Sequence, residues 1–169
     1  MKKLARLTAL LLTGALLLVL TACGAETEQQ AKQRLLKEIN SYRATLELDP
    51  LVEVKELSAA EQVWAEQFRA AGKTELLSSE TEETYKKWES MVDGWTCCDN
   101  FGWGWDERED GEQIDILSAK VPANTPEGKA ELWAALRGSD AFDYECKSIG
   151  IAVVTIKGQM YWICDVFHN

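Results

Sequence analysis

Histidine is nearly missing from this sequence. The 169 residues include one, His168, which is next to last, where side chains are usually frayed. Imidazole is the commonest metal ligand and the usual general base at neutral pH. A single terminal imidazole therefore argues against a histidine-based metal or catalytic centre. Ser139, His168 and Asp99 match a catalytic triad in composition only, because nothing in the sequence brings them together. We expect no metal and no cofactor.

Long apolar runs are also missing. Residues 7–20 are apolar and follow a basic start at residues 1–6. Their length is typical of a signal peptide and falls short of the ~20 apolar residues that a membrane span needs. The run ends in Leu20-Thr21-Ala22-Cys23, which resembles a bacterial lipobox. We expect cleavage before Cys23 and acylation of Cys23, with an ordinary signal peptide or an uncleaved anchor as the alternatives.

These signals divide the chain into three parts. Residues 1–22 are predicted to be a lipoprotein signal peptide, and residues 23–32 the lipidated cysteine and a tether. Residues 33–169 have the length of one domain with a real core. The lipid on Cys23 would hold this domain at the extracytoplasmic face of a bacterial cell membrane.

Basic residues are scarce, with 18 lysines and arginines against 28 acids. Loss of residues 1–22 removes three basic residues and no acid, which leaves a formal charge of −13. A surface of that sign repels nucleic acid and anionic headgroups. We therefore predict no nucleic-acid partner.

Four cysteines remain beside Cys23, namely Cys97, Cys98, Cys146 and Cys164. In an exported protein an even number indicates disulfides, and a zinc site is the weaker rival because no Cys-x-x-Cys spacing occurs. A two-residue hairpin turn at Lys157-Gly158 would place Cys164 opposite Ile151. Cys146 and Cys164 are then free to reach the Cys97–Cys98 pair, although a bond between those two neighbours is also possible.

The sequence predicts four helices followed by a β-hairpin. Apolar residues at helical spacing predict a helix through residues 35–46, and Ser58-Ala59-Ala60-Glu61 reads as a capping box that opens a second helix. A third helix is predicted near Ser79, and a fourth begins at Thr125-Pro126-Glu127. Two β-rich runs within residues 149–167 form the hairpin. This order predicts an α+β fold.

Tryptophan and cysteine are concentrated at residues 95–105, which hold three of the seven tryptophans and two cysteines. Its glycines favour a loop or bulge. One interpretation is the wall of a ligand site, and the other is a core loop stapled by a disulfide. The acidic run at residues 106–112 is interpreted as a solvated turn, because its spacing matches no calcium loop.

The sequence resembles the CAP superfamily (cysteine-rich secretory proteins, antigen 5 and pathogenesis-related proteins), in its bacterial SCP-like form. Residues 36–44 and 57–67 are similar to the first two helices of that family. Thr125-Pro126-Glu127 followed by Trp133 is similar to the approach to its second site histidine. Residues 149–153 and 161–167 are similar to its last two strands. The resemblance implies an α-β-α sandwich with a C-terminal β-hairpin.

Many members of that family carry two histidines and two acids in a cleft, sometimes with zinc. By the resemblance, Leu77 stands at the first histidine, Asp99 at the glutamate of a Gly-Glu-Asn element, and Ser139 at the second histidine. Glu131 is one candidate for the second acid. The scaffold is thus similar while both site histidines are replaced.

We therefore expect a membrane-tethered domain that binds a ligand and catalyses nothing. The predicted wall of its site consists of Asp99, Asn100, Phe101, Trp103, Trp105 and Ser139. Its ligand, whether a small molecule, a lipid, a cell-wall fragment or a protein, is not defined by the sequence. One alternative is a hydrolase rebuilt around Asp99 and Ser139, although a serine nucleophile needs an adjacent base. A purely structural envelope protein is the other.

Overall fold

The computed structural model describes residues 25–143 and 145–168. The predicted signal peptide and the predicted acylation of Cys23 fall outside these residues. Within the described ranges, no helix is long and apolar enough to cross a bilayer.

Helices and strands are distributed along the whole described chain. The helices are α1 (Glu28–Thr45), α2 (Lys55–Ala71), α3 (Ser78–Met91), α4 (Pro126–Arg137) and one turn of 3-10 helix (Asp140–Phe142). The strands are β1 (Val52–Glu53), β2 (Glu75–Leu77), β3 (Cys97–Phe101), β4 (Trp103–Glu107), β5 (Gln113–Leu117), β6 (Ser148–Ile156) and β7 (Gln159–Phe167). All four predicted helices and the C-terminal hairpin are confirmed.

The larger sheet has the strand order β1-β6-β7-β3, with β1 parallel to β6 and the other pairs antiparallel. Its hairpin turns at Lys157 and Gly158, whose φ angles of 50° and 83° are those of a two-residue turn that matches strand twist. Ile151 lies opposite Cys164, which confirms the predicted register. A smaller antiparallel sheet has the order β2-β5-β4.

The larger sheet separates two apolar cores. Alternate residues of β6 and β7 point to opposite faces; α1 and α4 cover one face, and α2 and α3 cover the other. Helix α2 approaches the sheet closely at Gly150, where a Cβ atom would come within 2.8 Å of the backbone of Leu57. The fold is therefore α+β, with the larger sheet between helical layers.

The start of α1 corrects the predicted tether. Thr27 caps the helix, because its hydroxyl accepts the N–H of Gln30 while the Gln30 side chain accepts the N–H of Thr27. Residues 28–32, assigned to the tether, are the first turn of α1 and the residue after it. Capping by this threonine–glutamine pair, a variant of the capping box, was not recognised in the sequence.

Two other local predictions differ from the structure. Ser58 lies inside α2, which begins after Val54 without a side-chain cap, and its buried hydroxyl instead donates to Glu53 and accepts the N–H of Ile151. The stretch at residues 95–105, expected to be a loop or a bulge, is mostly strand, because β3 ends at Phe101 and β4 begins at Trp103 with Gly102 (φ 90°) between them. The bulge expected there is present between Cys97 and Asp99.

Candidate functional site

Two rings of the predicted wall, Phe101 and Trp103, lie on opposite sides of the larger sheet. Phe101 packs against Trp162 in the core below α1 and α4, with ring centroids 4.6 Å apart. Trp103 packs against Trp64 on the side of α2 and α3, with centroids 5.4 Å apart. Trp105 lies on the same face of β4 as Trp103, since strand residues two apart share a face. The rings of Phe101 and Trp103 thus belong to different cores.

The polar members of the predicted wall are engaged with nearby backbone. The carboxylate of Asp99 accepts the N–H of Asn100 at 2.8 Å. The hydroxyl oxygen of Ser139 accepts the N–H of Ala141 at 3.3 Å, which caps the 3-10 helix. Each group therefore has a local structural role, and their joint action in a ligand site stays a prediction.

A disulfide joins Cys98 to Cys146, which immediately precedes the segment entering β6. The predicted link between the tryptophan-rich stretch and the C-terminal cysteines is thereby confirmed. Cys97 and Cys164 are free thiols, the first exposed and the second buried. Only one of the two possible bridges between these pairs is formed.

The single histidine is not frayed at the backbone. The N–H of His168 donates to the carbonyl of Thr96 at 3.1 Å, and its imidazole lies within 4.8 Å of both sulfur atoms of the disulfide. Cys98, Cys146 and His168 would make a set of metal ligands only after reduction of the disulfide, because a metal binds thiolates.

The most unusual polar groups are two carboxyls that the sequence did not single out. Glu61 in α2 and Asp165 in β7 are 0% and 1% exposed. Trp88 donates its indole N–H to Glu61 at 2.9 Å, and Trp103 donates its own to Asp165 at 3.0 Å. The second oxygen of each carboxyl has no partner among the residues that the structure describes. An acid pair thus lies in an apolar interface, held by indole rings.

Aromatic rings extend from this acid pair to the surface. Trp64 and Trp88 each contact Trp103, with centroids 5.4 and 6.1 Å apart. Tyr85 stacks on Trp88 at 5.7 Å and is 42% exposed. The rings therefore close the acids off from solvent on the side of α3.

Burial governs the ionisation of this region. It raises the pKa of Asp165 from 3.8 to about 7 and, together with repulsion from Asp165, raises the pKa of Glu61 well above 4.5. Burial and the same carboxylates raise the pKa of the nearby Cys97 thiol to about 12. Raised pKa values are typical of functional sites. A general acid must nevertheless reach its substrate, and both carboxyls are sealed.

The sequence did contain a signal for both acids. Asp165 stands between Ile163 and Phe167 at the period-two spacing of a strand face, and Glu61 lies three residues before Trp64 on the apolar face of α2. An acid at an inward position of an amphipathic element is a buried-acid signal. It was missed because Glu61 was assigned to a capping box.

The accessible aromatic surface lies at the edge of the smaller sheet. Trp105 is 69% exposed and lies on β4, which among the strands of residues 25–143 and 145–168 pairs only with β5. Leu117 of β5 donates its N–H to Thr74 beside β2, so the peptide groups of Trp103 and Trp105 point away from β5, because antiparallel ladders alternate. We call β4, together with Tyr85 and the acidic residues 106–112, the Trp105 edge.

The chain matches no protein-family model and no curated protein.

Proposed function

We propose that this protein is a lipid-anchored, extracytoplasmic CAP-like domain of the bacterial envelope that binds an extended basic peptide segment and catalyses nothing. The observation that carries the binding proposal is the exposed Trp105 on an unpaired strand edge beside an acidic turn. The layered α+β fold and the sequence motifs support the CAP-like part. The lipobox at residues 20–23 supports the anchor.

Geometry favours binding over hydrolysis. The acids with raised pKa values, Glu61 and Asp165, have no solvent access. Ser139 and Asp99, on which the hydrolase alternative depends, serve as local backbone acceptors. No observation in the described residues supplies the adjacent base that a serine nucleophile needs.

The open edge of β4 provides backbone groups for a partner strand. Trp103 and Trp105 direct peptide groups outward, and an extended peptide can add to such an edge by main-chain hydrogen bonds. The exposed indole of Trp105 offers a face on which an aliphatic or cationic side chain can pack. Strand addition therefore gives both affinity and a preference among side chains.

The negative charge beside Trp105 favours a positively charged partner. Residues 106–112 hold five acids and one arginine, and Arg108 forms ion pairs with Asp110 and Glu112 at 3.5 and 3.6 Å. The turn that continues β4 is thus strongly negative. A basic segment would be attracted to this edge, and its lysines would be drawn toward the turn.

The binding test uses a short labelled peptide that alternates lysine and threonine, with fluorescence anisotropy as the readout. We expect saturable binding, weakened about tenfold or more by Trp105→Ala, because buried indole contacts dominate such interfaces. Trp105→Pro removes the outward N–H as well as the ring, and we expect it to bind more weakly than Trp105→Ala.

Three controls separate strand addition from simple charge attraction. A glutamate–threonine peptide should not bind, and the lysine–threonine peptide methylated at alternate backbone nitrogens should bind weakly. Trp133→Ala on α4 should leave binding unchanged. Equal affinity for wild type and Trp105→Ala would overturn the proposed site. The anchor is tested separately by palmitate labelling, which Cys23→Ser should abolish.

A further inference from the structure

We propose that the end of the domain next to the anchor is a headgroup-binding face, on which Lys73, Lys157 and Lys120 contact the phosphates of an anionic bilayer. This inference rests on the proposed acylation of Cys23. In this orientation the start of α1 faces the bilayer, and the acidic turn of the Trp105 edge lies at the other end of the domain.

The connection between Cys23 and the start of α1 is short. Helix α1 begins at Glu28 behind its Thr27 cap, and Glu26 is already held by two hydrogen bonds from Arg34 at 2.7 and 2.8 Å. Two residues, Gly24 and Ala25, therefore separate Cys23 from Glu26, which carries the first fixed carboxylate. The connection from Cys23 to Glu26 spans at most about 10 Å when fully extended, so an acylated Cys23 would keep the start of α1 at the bilayer surface.

The end of α2 and the β6–β7 turn lie close to the start of α1. Glu28, the first residue of α1, accepts the N–H of Thr155 at 2.7 Å and pairs with Arg69 near the end of α2 at 2.8 Å. Helix α2 then ends at Gly72, against which the side chain of Lys157 packs. The end of α2 and the turn of the β6–β7 hairpin thus flank the start of α1.

Three exposed lysines carry the positive charge of the proposed face. Lys73, Lys120 and Lys157 are exposed, and none of them forms an ion pair with any residue in the described ranges. Glu75, two residues from Lys73, is an exposed acid that lines the same groove. The mature chain has a formal charge of −13, which predicts repulsion from anionic lipids. Lys73, Lys120 and Lys157 are cations without an ion pair in the described residues, so their charge can offset this repulsion near the anchor.

A groove gives these lysines a place to hold a phosphate. It has a volume of about 560 Å³ and is lined by Lys73, Glu75, Lys157, Gln159 and Tyr161, among others. Lysine is a common phosphate ligand, and tyrosine is enriched where protein meets headgroups. The shared chemistry is a phosphate group, and the short connection to Cys23 favours a lipid as its source.

The smaller sheet shows the same separation of charge along its length. Strand β5 begins after the acidic turn at residues 106–112 and ends three residues before Lys120. Its last residue, Leu117, is hydrogen-bonded to Thr74, next to Lys73. The acidic turn therefore lies at the end of β5 remote from the lysines, where it is separated from the anionic surface.

Lysine acetylation of the mature lipidated protein tests the proposal directly. The protein is reconstituted into vesicles of phosphatidylcholine, with or without phosphatidylglycerol, and acetylation by a water-soluble ester is followed by mass spectrometry. We expect phosphatidylglycerol to slow acetylation of Lys73 and Lys157 about threefold to fivefold, because headgroup attraction acts on each lysine near the surface. High salt should remove the difference.

Lys55 is the matched control. It is exposed at the first position of α2, about 25 Å from the end of the helix that Lys73 follows, and its acetylation should not respond to the lipid. In the double variant Lys73→Gln and Lys157→Gln, the protection of Lys120 should be lost while Lys55 stays unchanged. Inorganic phosphate added to the phosphatidylcholine sample should not reproduce the protection.

The outcomes separate this inference from its premise. Detergent phase partitioning of the same preparation first shows whether the protein carries a lipid; a water-soluble, unacylated protein overturns both proposals. A lipidated protein whose Lys73, Lys157 and Lys55 respond alike overturns the headgroup face alone. Protection by inorganic phosphate as strong as that by phosphatidylglycerol overturns the lipid as the source.

Discussion

The two sides of the larger sheet bury charged groups in opposite ways. On the side of α1 and α4, Arg43 is 0% exposed. Its guanidinium donates to the carbonyls of Asp49, Phe142 and Cys146 at 2.9, 2.9 and 3.1 Å. One carbonyl lies after α1, one at the end of the 3-10 helix, and one between that helix and β6. The buried cation therefore joins the segment after α1 to the segment that leads into β6.

On the side of α2 and α3, the buried groups are acids and their hydrogen bonding is incomplete. Glu61 and Asp165 each receive one indole N–H, and one oxygen of each has no partner among the described residues. A carboxylate only accepts hydrogen bonds, whereas a guanidinium has five donors to share. Arg43 therefore supports the fold at any ordinary pH, while the acid pair makes the other core sensitive to pH.

We expect the largest loss of stability from a substitution at Arg43. Arg43→Met keeps the volume but leaves three carbonyls without their donor, so we expect a loss of about 3–5 kcal/mol in the free energy of unfolding. Urea denaturation measures it. Arg69→Met is the control, since Arg69 is about one-third exposed and surface pairs contribute about 1 kcal/mol or less. Similar losses in both variants would contradict the special role of Arg43.

The disulfide lies on the same side of the larger sheet as Arg43. We expect its removal to cause the second-largest loss of stability. The double variant Cys98→Ser, Cys146→Ser opens a link across 48 residues. We expect a loss of about 2–4 kcal/mol, because a cross-link of that span restricts the unfolded chain. The Cys97→Ser, Cys164→Ser variant keeps the link. It should lose less, and an equal loss would argue against the connectivity.

Elements with a strong local pattern were predictable from the sequence. The Thr125-Pro126 start of α4 and the Lys157-Gly158 turn depend on a few adjacent residues, and both are as predicted. The strand pairing that places Cys98 beside Cys146 depends on contacts remote in sequence. Sequence spacing therefore predicted a link between the two cysteine pairs without choosing its members.

The candidate site was harder to predict for the same physical reason. Phe101 and Trp103 are two residues apart, and Gly102 turns the chain between them so that they enter different sheets. A contiguous stretch was therefore interpreted as one wall, although its rings serve two cores. Glu61 was hidden by an equally local pattern, since Ser58 and Glu61 have capping-box spacing and the helix starts one turn earlier.

The acid pair should reveal itself in the pH dependence of stability. In the native state the pKa values of Asp165 and Glu61 are raised, so the unfolded chain binds fewer protons between about pH 4 and pH 7. The stability contributed by protonated Asp165 is full below about pH 4, falls as the pH rises, and is lost above about pH 7, and Glu61 adds a loss in the same direction.

Glu61→Gln keeps an acceptor for Trp88 and removes one ionisable group. We expect this variant to be more stable than wild type by about 1–3 kcal/mol at pH 8 and equal to it near pH 4, as measured by urea denaturation across that range. Glu53→Gln is the control of opposite sign: burial alone would raise the pKa of Glu53, but hydrogen bonds from Lys32 and Ser58 lower it overall, so its stabilising effect should disappear in acid. A wild-type stability that rises from pH 4 to pH 7 with the same slope in Glu61→Gln would mean that the acid pair does not control this core.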